Sequence, residues 1–188
     1  MSFSLHVASA LLLLSNIFPT LAQAEVVVTR LGVDAYSIRM EADISAPAMY
    51  VRALLTDYEH LGRVNPAIRE SRLLGSFKPA QQRVRTVTRS CAAFMCFDMV
   101  QVQDVLERAD GEIIVTTVPE QSDFKEGIAL WRILPNGNRT HVVFEARMRP
   151  AFWVPPVIGT WLLERQINQQ LELTVRNLTR LGNQLALR

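Results

Sequence analysis

Side chains able to do chemistry are sparse in this sequence, and their spacing matters more than their number. Beyond residue 24 the histidines are His60 and His141, about eighty residues apart, with no obvious carboxylate partner in sequence to make either a general base. His141 falls on the polar face of an alternating stretch, which suits a solvated ring better than a catalytic one. Asp57 reads as a helix cap or breaker before it reads as an acid. Tyr58 ends an apolar helical stripe, and its hydroxyl needs a partner if buried, so a ligand contact and an edge position both stay open. No Gly-x-Ser-x-Gly, Gly-rich phosphate loop or His-rich metal pattern occurs. Catalytic residues are therefore unassigned, and neither a metal nor a cofactor is implied.

Cys91 and Cys96 stand in "SCAAFMC", and the four residues between them suit a tight hairpin. Facing positions in such a hairpin lie about 4.5 to 5.5 Å apart, within disulfide reach. Two thiols with no His or Asp nearby make a poor zinc site, and a redox pair is more often spaced C-x-x-C. A structural disulfide is favoured over free thiols.

A disulfide needs an oxidising compartment, and the N-terminus offers one. Val7 to Leu14 forms a short apolar core, and Ala22-Gln23-Ala24 supplies a small-x-small site before Glu25, the pattern of a secretory signal peptide over residues 1–24. Its start carries His6 but no Lys or Arg, and an uncleaved anchor is the competing reading. Ser15, Asn16 and Pro19 interrupt that run well short of the roughly 20 apolar residues a span needs. The expected location is exported, which is periplasmic in a bacterium and secreted otherwise. Residues 25–188 then form one domain, since about 160 residues bury roughly two thirds of their unfolded surface around a single core. With 20 basic and 18 acidic side chains, scattered rather than clustered, no nucleic-acid footprint is evident. Arg83, Arg85 and Arg89 line one face of a strand, which suits a solvated face better than a contact with anionic lipid.

The elements that would position these groups follow from periodicity. Tyr36 to Ile44 alternates, with Tyr36, Ile38, Met40, Ala42 and Ile44 on one side. Ser45 offers an N-cap, and Val51, Leu54, Leu55 and Tyr58 keep helical spacing after it. Six strands are predicted next, over Ile68 to Leu74, Gln82 to Cys91, Phe97 to Arg108, Glu112 to Val118, Lys125 to Leu134 and Arg139 to Arg149. Asp110-Gly111 and Pro135-Asn136-Gly137-Asn138 are hairpin turns because Gly and Asn tolerate positive φ. A closing amphipathic helix runs from about Val157 to Leu187, with Leu163, Ile167, Leu171, Val175, Leu178 and Leu185 on one stripe. This order gives an α+β fold, helices on one face of an antiparallel sheet.

The order of elements, with "DISAPAMYVRALLTDYEHLGRVNPAIRESRLL" from Asp43 to Leu74, resembles the START-like helix-grip (SRPBCC) superfamily, in particular its polyketide cyclase/dehydrase and coenzyme-Q-binding branch. The residues that carry the likeness are the "ISAP" turn of Ile44 to Pro47, Asp57 and Tyr58, Leu61, Pro66, Ser71 and Trp131, and it covers roughly Tyr36 to Leu181. The resemblance implies a curved antiparallel sheet wrapped around the C-terminal helix, with an apolar cavity between them for a lipid, quinone or polyketide-like ligand. It carries over a cavity and no catalytic motif.

Candidate ligand contacts are Tyr58, Trp131, Phe144, Met148, Phe152, Trp153 and Trp161, each set against plain core packing. Alternation points Phe144 and Met148 inward. The apolar run "PAFWVPPVIGTWLLERQ" leaves the last strand and enters the helix, with Pro156 able to start it, and Gly159 and Trp161 stand just inside. Phe152 to Ile158 could be a lid, a membrane-surface contact or a packed sheet edge. Three functions remain: a binding protein for one hydrophobic molecule, a cyclase/dehydratase-type enzyme acting on such a molecule, or an accessory partner of a membrane complex.

Overall fold

β2 (Ala35–Ile44) shows how the chain chooses its inside. Tyr36, Ile38, Met40, Ala42 and Ile44 are all buried, while Arg39 on the other face pairs with Glu41 and Glu145. The same alternation organises a computed structural model that describes residues 24–78, 80–92, 95–153 and 159–187. Most of the expected leader and the segment 154–158 lie outside the described residues.

The strands are β1 (Ala24–Leu31), β2, β3 (Ile68–Lys78), β4 (Gln81–Ala92), β5 (Met95–Glu107), β6 (Ile113–Thr117), β7 (Phe124–Asn136) and β8 (Arg139–Pro150). They form one antiparallel sheet in the order β1-β2-β8-β7-β6-β5-β4-β3. Sequence neighbours pair through turns, as the Asp110-Gly111 and Asn136-Gly137 signals require; both glycines hold positive φ. One long step breaks that rule: between β2 and β3 the chain passes from one side of the sheet to its far edge through α1 (Ala48–Leu55) and a short 3-10 turn. Register shifts in the β3–β4 and β7–β8 pairs mark bulges, which bend and twist strands.

α2 (Gly159–Ala186) lies on the inward face of this sheet. Leu171 and Val175 cluster with Met40 and Ala42 of β2, and Leu178 and Leu181 cluster with Ile44, Val142 and α1 residues Val51 and Leu54. At its other half, Leu163 and Ile167 pack beside Val28, Tyr36 and Ile38, while Gln166 Nε2 donates to the Cys91 carbonyl of β4 at 2.7 Å. Both sides of the sheet therefore touch one helix, which is the helix-grip arrangement. Cys91 faces Cys96 across the β4–β5 pair with Cα atoms 4.0 Å apart, and the two form the expected disulfide.

Two details differ from expectation. Ser45 does not cap α1: Pro47 holds the cap position with no side-chain bond, and the Ser45 carbonyl instead accepts from Asn183 Nδ2 of α2 at 2.7 Å. β1 adds a strand that alternation does not announce, because Val26-Val27-Val28 has no period of two. Val28 is nonetheless buried and Val27 exposed.

α2 comes close to the bend between β2 and α1 at Gly182, where an added Cβ would lie 2.7 Å from the Ala46 Cβ. Leu178 beside it is among the largest fully buried side chains. Leu178→Ala is expected to lower unfolding free energy by about 2 to 5 kcal/mol in urea denaturation, with an unchanged m-value; a cost under about 1 kcal/mol would contradict the packing described.

Candidate functional site

Between α2 and the β4–β6 side of the sheet the packing opens into a cavity of about 410 Å³. Its apolar wall is built from alternating inward positions: Val84 on β4, Val105 on β5, Ile113 and Val115 on β6, Trp131 on β7 and Phe144 on β8. Trp131 and Phe144 face each other across the β7–β8 pair with ring centroids 4.4 Å apart. Leu163, Ile167 and Leu171 bring the helix stripe to the opposite wall.

Part of the lining is polar. Thr86, Thr88 and Ser90 continue the inward row of β4, Gln101 and Gln103 that of β5, and Gln166, Gln170 and Thr174 follow at helical spacing along α2. Gln166 is bonded to the Cys91 carbonyl, and the Thr174 hydroxyl donates to the Gln170 carbonyl at 2.8 Å. The Gln170 side-chain Oε1 is buried without a partner.

The Tyr58 ring lines the cavity, and its hydroxyl turns away to donate to Glu107 Oε1 at 3.0 Å. Arg52 donates to the other carboxylate oxygen at 3.0 Å and to the Gly111 carbonyl at 2.7 Å, so α1 is tied to the β5–β6 turn. Burial, and then the neighbouring Glu107 charge, push the Tyr58 phenol well above its ordinary value of 10.0, with Arg52 opposing. Such a hydroxyl keeps its proton at neutral pH and is a poor acid. The Ser71 hydroxyl donates to the Tyr58 carbonyl and fixes that residue to β3.

Of the residues singled out in the sequence, Tyr58, Trp131 and Phe144 stand together on the cavity wall. Met148 is partly buried in the cluster of Val28, Tyr36 and Ile38 instead. Phe152 packs edge-on against Phe97 and Phe124, with centroids 6.2 and 6.0 Å away. Trp153 is 77% exposed and Trp161 63% exposed, the latter with the Arg165 guanidinium 5.6 Å from its ring centroid. Only Phe152 and Trp153 of the 152–158 run lie among the described residues.

The histidines find carboxylates after all, outside the cavity: His60 Nδ1 is 2.8 Å from Asp57, and His141 Nδ1 is 2.9 Å from Asp43 across the β2–β8 pair. The arginine row is matched by acids rather than left as a bare basic face. Arg83 pairs with Asp104 and Arg89 with Asp98 through two bonds each, and Arg85 pairs with Glu70. Hydrogen bonds from Arg89 and Arg83 hold the Asp98 and Asp104 carboxyls below their usual range. No group of three or more potential metal ligands occurs among the described residues.

The polar lining and Glu107 escaped the sequence reading. A signal existed on β4, since the face opposite Arg83, Arg85 and Arg89 carries Val84, Thr86, Thr88 and Ser90. Polar strand residues read by default as facing water.

A family model described as polyketide cyclase / dehydrase and lipid transport matches residues 35–181. The chain belongs to this family. Members share the helix-grip frame, and solved structures repeat it. A STAR-related lipid transfer protein from Xanthomonas axonopodis superposes with a TM-score of 0.65 at 18% identity, covering 82% of this chain and 93% of that one. A START superfamily protein from Mycobacterium smegmatis gives 0.63 at 18% identity, covering 79% and 98%. The Zhui aromatase/cyclase from Streptomyces sp. R1128 gives 0.63 at 14% identity, covering 79% and 94%. Among curated proteins none matches by sequence. The family thus spans hydrophobic-ligand binding and cyclase-type roles.

Because the folded state binds the Tyr58 proton more tightly than the unfolded chain does, that contribution to stability is complete below pH 10 and is lost as pH rises above it. Tyr58→Phe is expected to cost about 1 to 2 kcal/mol at neutral pH and to flatten the loss of stability above pH 10. Denaturation series at several pH values measure both. An alkaline loss equally steep in the variant would contradict the Tyr58 to Glu107 bond.

Proposed function

We propose that this chain is an exported binding protein that holds one hydrophobic small molecule, a lipid, quinone or polyketide-like compound, between the sheet and α2. The observation that carries the reading is the cavity itself: about 410 Å³ walled by Val84, Val105, Ile113, Val115, Trp131 and Phe144. That size lies within the roughly 300 to 1,000 Å³ of small-molecule sites. Left unfilled, such a wall forfeits the dispersion contacts that a bound apolar molecule restores.

Export rests on the signal-peptide pattern of residues 1–24 and on the disulfide, which persists in an oxidising compartment. Glu25 is the second residue of β1, so removal of residues 1–24 leaves the strand's pairing with β2 from Glu25 onward. Contact with a membrane that delivers the ligand is supported by Trp153 and by Phe152, exposed beside Phe97.

A second reading, a cyclase/dehydratase-type enzyme, is favoured by one feature, the hydrogen-bonded Tyr58 and Glu107 beside the cavity. Commitment of the hydroxyl to Glu107 and its raised pKa weigh against a proton-donating role.

Native mass spectrometry of protein recovered from the exported fraction tests the first reading. The expected spectrum shows a polypeptide starting at Glu25 with a solvent-extractable hydrophobic adduct. Empty protein with no affinity for lipids or quinones would sink the binding role, and an unprocessed chain retained inside the cell would sink export. For the membrane contact, Trp153→Asp is expected to reduce co-sedimentation with phospholipid vesicles several-fold; unchanged co-sedimentation would contradict it.

A further inference from the structure

Along the cavity the lining changes character. At one end Val84 of β4 meets Val105, Ile113, Val115 and Trp131. From there the inward row of β4 turns polar through Thr86 and Thr88 to Ser90, next to the Cys91 carbonyl that holds Gln166. On β5, Gln103 and Gln101 stand opposite Val84 and Thr86, and Met99 interrupts the polar run opposite Thr88. The apolar end is closed: Trp131 packs both against this wall and against the core of Ile44, Val51 and Leu178, whose side chains are at most 2% exposed.

The dimensions then limit what fits. Val84 and Ser90 are six residues apart, which in a strand is about 20 Å. A volume of about 410 Å³ spread over about 20 Å leaves a section of about 20 Å². Apolar atoms touch at about 4.0 to 4.5 Å, so one extended chain needs a lane of about 16 to 20 Å² in section. Two chains side by side need twice that. Counted the other way, a water-sized group takes about 30 Å³ and a methylene is close to it in size, so the cavity holds about fourteen.

We infer that the cavity admits one single-chain amphiphile of about fourteen chain atoms and excludes lipids with two chains. Its chain end lies at Val115 and Trp131, and its polar end lies toward Ser90 and Gln166. This rests on the binding role proposed above and adds the size class and the orientation of the ligand.

Equilibrium dialysis of the delipidated protein against straight-chain alkanols, from about 8 to about 18 carbons, is expected to show affinity rising about four-fold with each methylene and levelling off near fourteen. Phosphatidylcholine vesicles carrying equal amounts of monomyristoylglycerol and dimyristoylglycerol supply the second comparison, read by native mass spectrometry of the recovered protein. The one-chain lipid is expected to load at least about ten-fold more than the two-chain lipid, because a second chain left in water costs affinity with every methylene. In Val115→Ala, which deepens the closed end, the levelling-off is expected to move to longer alkanols, whereas in Ser90→Ala it stays in place. Affinity that keeps rising through the longest alkanol, or equal loading of the two-chain lipid, overturns the size class and leaves the hydrophobic carrier intact. A levelling-off that does not move in Val115→Ala overturns the orientation. Binding of no alkanol and neither glyceride overturns the carrier reading as well.

Discussion

A 28-residue helix with one apolar stripe has to be covered along its whole length, and a single eight-stranded sheet, joined by α1, does the covering. Over the C-terminal half of α2 the cover is tight. Leu171, Val175, Leu178 and Leu181 are buried against β2, β8 and α1, and Gly182 allows the approach of Ala46. Over the N-terminal half, Leu163 and Ile167 are packed by β1 and β2 on one side only. The β4–β6 side stands off except where Gln166 bonds to the Cys91 carbonyl, and the space between is the cavity. Stability and binding space thus come from two ends of the same stripe.

Electrostatics follow the same division. Outward faces carry ion pairs such as Arg39 with Glu145 and Arg83 with Asp104, exposed or half-buried, where such pairs contribute little to stability. Their effect is to keep charge on the outer surface. Inside, the lining mixes aliphatic and aromatic carbon with Thr, Ser and Gln, and the Glu107 carboxylate beside it is taken up by Arg52 and Tyr58. A space of this kind favours neutral molecules with few polar atoms.

How much of this could be read from residues alone depends on how each signal arises. Period-two stretches such as Tyr36 to Ile44 announce both strand and face because burial selects alternate positions, and turn residues such as Asn136-Gly137 fix the hairpins. Family likeness then supplies the wrapping of sheet on helix, confirmed by the match over residues 35–181. Side-chain partners distant in sequence are another matter: Tyr58 with Glu107, or His141 with Asp43, depend on register and on the long step through α1. The polar lining was hidden because Thr86 or Gln101 facing a cavity is written with the same letters as Thr or Gln facing water. Trp153 and Trp161 stand in the apolar run between the last strand and the closing helix, and both are largely exposed.

The central claim is that one hydrophobic molecule sits between the sheet and the N-terminal half of α2. The most direct measurement is intermolecular nuclear Overhauser contact between a bound probe such as dodecanol and the assigned methyl groups of the protein. Contacts are predicted to Val84, Val105, Ile113, Val115 and Leu171 on the cavity wall, with none to the outward-facing Ile128 or Leu134. Contacts confined to the outer face, with a silent cavity wall, would contradict the account.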